Sequence, residues 1–301
     1  MSNKDFDPFT GKIQESEGVE NNSFFHRFWD NLKKNKITLV CLFLLGIIIF
    51  LSVFIFLSPY DPDKVYISEK YMPSGKLHIW GTDAMGRDYF TRAFYGGRVS
   101  LSIGLFSMII ATIWGTIYGT ICGYMGGKID AFLMRGVDIF MSIPSFILIV
   151  VISSYMSPSV PVIIFIIALF SWMGVARIVR AGTMSLKERD FVMASAGLGA
   201  SGKWIVVRHI IPGMLPEIIV SATVSVAHAI LIESALSFLG FGVQLPTASW
   251  GSMLQTAQKD VLTNPMLALY PGMLILITVL SFHLLGDTLR ETLEPGEWLR
   301  L

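Results

Sequence analysis

Long uncharged apolar runs recur along the chain, separated by polar stretches rich in turn-forming residues. A helix needs about 20 mostly apolar residues to cross roughly 30 Å of hydrocarbon, and several windows meet that demand. The first runs from Ile37 to Ser58 and stops at Pro59-Tyr60-Asp61-Pro62. The second, Val99 to Gly127, contains no charge. Ile139 to Ala176 is also uncharged but too long for one span, and Ser157-Pro158-Ser159-Val160-Pro161 divides it into a third and a fourth helix. Pro216 to about Gly242 forms the fifth, with the weakest signal because it holds Glu217, His228 and Glu233; Leu267 to Leu285 forms the sixth. The pattern predicts an all-α polytopic membrane protein of six spans.

Composition agrees: 53% of the residues are hydrophobic and only 15% charged, against roughly 25% charged in soluble domains. Residues 1–36 read as a polar arm that ends in an interfacial helix, with Phe24, Phe25, Phe28 and Trp29 at headgroup depth and His26, Arg27, Lys33, Lys34 and Lys36 against anionic lipid. Residues 37–58 are the first span, 59–98 an external segment, 99–295 the core with a cytoplasmic loop at 185–212, and 296–301 a tail. The cations beside the first span place the N-terminus in the cytoplasm, and alternation puts the C-terminus there too. The segment holding Arg177, Arg180, Lys187, Arg189, Lys203 and Arg208 is then cytoplasmic. The 59–98 segment, external on this scheme, also carries several cations, balanced by nearly as many carboxylates. Cys41 and Cys122 lie inside apolar runs and read as small hydrophobes. Gly115, Gly119, Gly123 and Gly127 form a stripe at four-residue spacing, which lets two helix backbones approach closely.

The cytoplasmic loop carries the most information. Ser185 and Glu188 have capping-box spacing, so a short helix is expected from Leu186 to about Ala196. Ser201 is placed to cap a second short helix that ends before Pro212. Gly197-Leu198-Gly199-Ala200-Ser201-Gly202 fits a dinucleotide fingerprint, and Gly197 to Lys203 fits most of a P-loop. Both readings fail: a helix rather than a strand precedes the glycines, and Trp204 stands where a P-loop needs Ser or Thr for magnesium. Nothing in the chain points to bound nucleotide, metal or nucleic acid.

The run Asp190-Phe191-Val192-Met193-Ala194-Ser195-Ala196-Gly197-Leu198-Gly199-Ala200-Ser201, followed by Arg208-His209-Ile210-Ile211-Pro212, resembles the EAA loop of binding-protein-dependent ABC permeases. Ala194, Gly199, His209 and Pro212 keep the family spacing; Met193 and Ser195 replace the usual Glu and Ala. Gly81-Thr82-Asp83-Ala84-Met85-Gly86-Arg87-Asp88, Gly97-Arg98-Val99-Ser100-Leu101, Ser237-Phe238-Leu239-Gly240-Phe241-Gly242, Ser249-Trp250-Gly251 and Leu285-Gly286-Asp287-Thr288-Leu289-Arg290 resemble motifs of the oligopeptide and dipeptide class. The resemblance spans about residues 60 to 295 and implies a type I ABC importer permease in a bacterial inner membrane, with no enzymatic activity of its own. It implies a second permease subunit, two ATPase subunits that hold ATP and magnesium, an extracytoplasmic substrate-binding protein, and an oligopeptide cargo, with dipeptide or nickel as the family's other substrates.

The resemblance makes Glu188, Asp190, Phe191, Ala194, Ser195, Gly199, Ala200, His209 and Pro212 the expected ATPase-coupling residues, with Glu188 or Asp190 standing in for the acid missing at Met193. Gly81, Thr82, Asp83, Gly86, Arg87 and Asp88 form either an ion-paired turn that anchors the second helix or a contact for the binding protein. His228 and Glu233, ionisable and inside a span, are candidates for structural hydrogen bonding, for lining a path or for a proton relay. They are five residues apart and so do not share a helix face well. Asp287 and Arg290 are expected to pair. A stand-alone carrier would need ionisable sites near the membrane midplane. A membrane enzyme would need a nucleophile and base, or a metal set, at one depth. Ionisable groups are in short supply in the spans, which argues against the carrier, and no nucleophile–base pair or metal set converges for the enzyme.

Overall fold

The computed structural model describes residues 24–293. The readings of residues 1–23 and 294–301 lie outside that range. Among the described residues there is no strand, only an isolated bridge between Thr82 and Asp88. The helices are α1 (Phe24–Lys34), α2 (Lys36–Phe54), α3 (Tyr89–Met125), α4 (Gly127–Met141), α5 (Ser145–Tyr155), α6 (Val160–Lys187), α7 (Asp190–Gly197), α8 (Gly202–Ile205), α9 (Ile211–Phe238), α10 (Trp250–Ala257) and α11 (Met266–Leu293).

Five helical stretches are long and apolar enough to cross a membrane, and a sixth crossing is made if α4 and α5 count as one bent span. The bend is 76° and falls at Ser142-Ile143-Pro144. Pro144 supplies no N–H and clashes with a preceding helical turn, which breaks the expected third span. The second span begins at Tyr89 and not at Val99. Asp88 starts it by accepting from the Thr91 amide at 2.7 Å. Hydropathy conceals this start because Arg92 and Arg98 fall in the opening turns, yet Arg92 is buried. Its guanidinium donates to the carbonyl oxygens of Pro62 and Pro246 and to Asp63. At 37 residues and about 1.5 Å per residue, α3 is about 55 Å long and must project beyond the hydrocarbon.

The knob also departs from the capping expectation. Ser185 lies within α6, Glu188 caps the C-terminus of that helix, and α7 starts at Asp190. Ser201 does cap α8, accepting from the Trp204 amide at 3.4 Å. That helix does not stop before Pro212, because a π-helical turn over Val206–Ile210 carries it into α9. The fifth span therefore begins at Ile211 rather than Pro216 and ends at Phe238 rather than Gly242, with Gly240 at φ +87° in the turn that follows.

The glycine stripe joins α3 to α6. A Cβ on Gly115 would lie 2.7 Å from the carbonyl oxygen of Trp172. One on Gly119 would run into the carbonyl of Ala176, and one on Gly123 would lie 2.7 Å from that of Arg180. Gly127 does not share in this contact. It opens α4 at φ +55° with nothing near it. Small residues also seat α3 on α9, where a Cβ on Gly104 would meet Ile230 at 2.6 Å. On the other side of α9, one on Gly286 of α11 would meet Val224 at 2.8 Å.

Replacing Gly119 by Leu is expected to force α3 and α6 apart and to lower stability by about 1–3 kcal/mol, the usual range for overpacking. Thermal unfolding of the purified chain in detergent checks this; an unchanged midpoint would show that the helices pass at a looser distance.

Candidate functional site

The 188–212 knob is seated through three buried residues, Val192, Ile205 and Ile210. Val192 of α7 packs into a cluster with Val175 and Val179 of α6, Ile205 of α8 and Met214 and Ile218 of α9. Most of the remainder of α7 is turned outward: Phe191 and Met193 are about half exposed, and Leu198, just past its end, is 91% exposed. A large aliphatic side chain so open to solvent, on a knob that also exposes Trp204 and Val207, is an unsatisfied apolar surface. Ala194 is exposed as well, while Ser195 and Ala200 are half-buried.

Gly199 sits at φ +87°, a conformation that L side chains adopt at a cost, and the Ala200 amide donates back to the Ser195 carbonyl at 3.1 Å. This closes α7 tightly enough to start α8 two residues later. His209, half-buried in the π turn, lies edge-on to two rings, 5.7 Å from Phe191 and 5.0 Å from Trp204 between centroids. The histidine thus ties both knob helices to the base of α9. Pro212 follows on α9 and is exposed.

Glu188 and Asp190 are exposed, and among the described residues neither forms an ion pair. Asp190 lies three residues before Met193 on the same helix and therefore one turn away on its face. Sequence reasoning missed Tyr124 at the end of α3. Lys187 donates to its carbonyl oxygen at 2.6 Å, and a Cβ on Gly202 would touch its ring at 3.0 Å. The knob is thereby braced against α3 as well as α6, a contact with no local signal in the sequence.

The 81–88 turn is an ion-paired knot. Asp83 accepts from the Met85 and Arg87 amides at 2.8 and 3.0 Å, and its second oxygen accepts from Arg87 Nε at 2.7 Å. Asp83, Arg87 and Asp88 are all buried. Besides capping α3, Asp88 meets His78 Nδ1 at 2.9 Å. Gly81 and Gly86 hold positive φ, and a Cβ on either would collide with a backbone carbonyl, of Met72 and Tyr66 respectively. Thr82 accepts from the Met72 amide at 2.8 Å and donates to the Glu69 carbonyl. The turn is fastened to the segments before and within α11 through Trp80, stacked on Tyr270 at 4.4 Å, and through Tyr71, which donates to Asp260 at 2.9 Å. That hydrogen bond raises the Tyr71 phenol above its usual range.

His228 and Glu233 are not brought together. Glu233 is fully buried and receives hydrogen bonds from Ser100 at 2.9 Å and Ser237 at 2.7 Å. Ser100 in turn accepts from the Trp250 amide, and Ser237 from the Val243 amide. The carboxyl group is the centre of a polar node that joins α3, α9, α10 and the 239–243 turn. As a wall residue of an open path it is misplaced within this chain, because the serines close around it. His228 is exposed instead. The Gly286–Val224 contact fixes the level at which antiparallel α9 and α11 meet. Three residues from it along α11 and four along α9 lead to His283 and His228, which therefore lie at one depth, both exposed. The expected pair of Asp287 and Arg290 does not form, and both side chains are exposed.

Two family models match the chain. One, the binding-protein-dependent transport system inner membrane component, covers residues 111–298. The other, the N-terminal TM domain of oligopeptide transport permease C, covers residues 23–73. The dipeptide transport system permease protein DppC of Bacillus subtilis is 36% identical over 288 residues, 94% of this chain and 90% of that protein. The glutathione transport system permease protein GsiD of Escherichia coli is 35% identical over 273 residues, 90% of each. The inward-facing MetNI methionine ABC transporter has a similar fold, with a TM-score of 0.55 at 21% identity over 65% of this chain and 94% of that one.

Glu233→Ala is expected to leave the buried hydroxyls of Ser100 and Ser237 without their acceptor and to lower stability by about 1–3 kcal/mol, with Glu233→Gln far milder. Unfolding midpoints of the two variants check this; equal loss in both would mean that a negative charge, rather than hydrogen-bond acceptors, holds the node.

Proposed function

Because the chain belongs to the binding-protein-dependent transport system inner membrane components, as a permease of the peptide class of ABC importers, we propose that it forms half of a membrane path for short peptides and is driven through its 188–212 knob. The observation that carries this reading is the exposed apolar knob. Phe191, Leu198, Trp204 and Val207 have no place in the chain's own core, yet Val192 and His209 hold their backbone rigidly to α6 and α9. A surface of that kind suits a cleft in a soluble ATPase subunit. Ala194, Ser195 and Ala200 keep the approach close, and Asp190 supplies the acid at the face of Met193.

Two ATPase subunits would grip this knob and its counterpart on a second permease chain. ATP and magnesium would reside on those subunits. Closure of the ATPases on ATP would draw the knobs together and open the path outward, and hydrolysis would reset it. The knob would then lie in the cytoplasm, with both termini on the same side, and the 59–88 segment outside, where it faces the substrate-binding protein. The knotted turn at 81–88 has its charges turned inward, which supports its anchoring role over direct contact.

The path itself is assigned to one face of α9. Glu217, Ser221, Ser225 and His228 recur at spacings of four, four and three, at half-buried or exposed positions, and His283 joins them from α11. Polar groups on a lipid-facing stripe are costly, so this face suits a water-filled cavity between two permease chains. It offers hydroxyls and imidazoles for a peptide backbone. Among the described residues no group of His, Cys and carboxylates is arranged to hold a metal ion, which favours peptide over nickel. The dipeptide and glutathione permeases among the relatives favour short peptides over longer ones.

Gly197 ends α7 with open space around its Cα, so a large side chain there adds bulk without disturbing the fold. Gly197→Trp is expected to insert and purify normally, to lose its ATPase subunits on purification and to reduce uptake of a radiolabelled dipeptide by more than about tenfold. Normal uptake with the ATPases retained would refute the coupling assignment.

A further inference from the structure

A second site lies far from the path, where α1 and α2 meet the final turns of α11. A cleft of about 610 Å³ opens there, within the size range of small-ligand sites. Lys34 and Lys36 contribute from the α1–α2 junction, and Asp287 and Glu291 from α11. All four side chains are exposed, and among the described residues none of them is ion-paired. The cleft holds two cations and two carboxylates apart across an open space. Lys34 is oriented by Asn31, which accepts from its ammonium group at 3.0 Å and donates to Thr292 at 3.2 Å. Asn35 accepts from the Ile37 and Thr38 amides and so turns the chain sharply from α1 into the first span.

The depth of the cleft follows from its walls. α1 is amphipathic, with Trp29 half exposed and the Lys33 ammonium 5.7 Å from its ring centre. This is the pattern of a helix lying in the interface. One residue later α2 enters the hydrocarbon with Ile37, Val40 and Phe43 exposed to lipid. Ile37 and Leu284 also line the cleft, so it is apolar where acyl chains begin and charged where headgroups lie.

We propose that this cleft binds the headgroup of a zwitterionic phospholipid bearing a primary ammonium, a phosphatidylethanolamine. Its phosphate would lie against Lys34 and Lys36, its ammonium would donate to Asp287 and Glu291, and its acyl chains would leave past Ile37. A choline headgroup has the same charges but no N–H to donate, and a glycerol headgroup, anionic and without an ammonium, meets only one of the two walls. The bound lipid would pin the interfacial helix and the first span to α11.

The test uses the full-length chain in nanodiscs of equimolar phosphatidylethanolamine, phosphatidylcholine and phosphatidylglycerol, with retained lipid identified by native mass spectrometry. Phosphatidylethanolamine should be retained about tenfold over either competitor. That preference should disappear both in Lys34→Ala with Lys36→Ala and in Asp287→Asn with Glu291→Gln. The carboxamide pair is nearly isosteric and keeps the fold, so its result stands even if the lysine pair is unstable. Preference for phosphatidylglycerol, lost only with the lysines, would reduce the cleft to a basic patch and overturn the proposal. So would equal retention of phosphatidylethanolamine and phosphatidylcholine, or no selective retention. None of these outcomes depends on the transport reading.

Discussion

The backbones of α3 and α6 touch. Where Gly119 faces the carbonyl of Ala176 there is no room for a side chain, and Gly115 and Gly123 extend that contact a turn in each direction. In lipid, where hydrocarbon on both sides removes the hydrophobic drive for association, such close packing is the main source of helix adhesion. The consequence for function is stiffness. α6 runs straight into the knob, Tyr124 lies in the last turn of α3, and Lys187 and Gly202 both rest on that tyrosine. Under the proposed coupling, a force applied to α7 would meet two helices locked along their lengths and would be passed on as a rigid-body displacement.

The same economy of small residues recurs where α10 packs on α3 and α9. Gly97 admits Trp250, Gly251 lies against Ser234, and Trp250 donates its indole N–H to the Ala93 carbonyl at 2.9 Å. Around Glu233 the family motifs that are scattered through the sequence converge. Ser100 belongs to one, Ser237 to another and Trp250 to a third. Their separation along the chain conceals that they share one polar node. The node and the knotted turn at Asp83 and Arg87 bury their charges in the manner of structural elements, whereas His228 and His283 stay exposed.

Much of this was legible in the sequence. Uncharged runs located the spans, because lipid imposes a length and a composition on any crossing helix. The α3–α6 contact was readable as glycine spacing, and the knob as small residues after a long span. What failed had local causes. Arg92 hid the first turns of α3, since its partners at Asp63, Pro62 and Pro246 are remote in sequence. Ser185 and Glu188 carried a capping signal that the continuing apolar face of α6 overrode. Pro212 read as a stop, whereas a π turn delivered it to the start of α9, where a missing N–H is tolerated. Glu233 was read with His228 because both are ionisable, but burial separates a hydrogen-bond centre from a surface residue.

The central claim, that the knob is the contact through which the chain is driven, is tested most directly by placing a photoreactive benzoylphenylalanine at Leu198, the most exposed apolar position of the knob, in cells expressing the complete transporter. Irradiation of native membranes should yield a single major adduct with an ATPase subunit. Adducts confined to lipid, or to the permease chains themselves, would contradict the account.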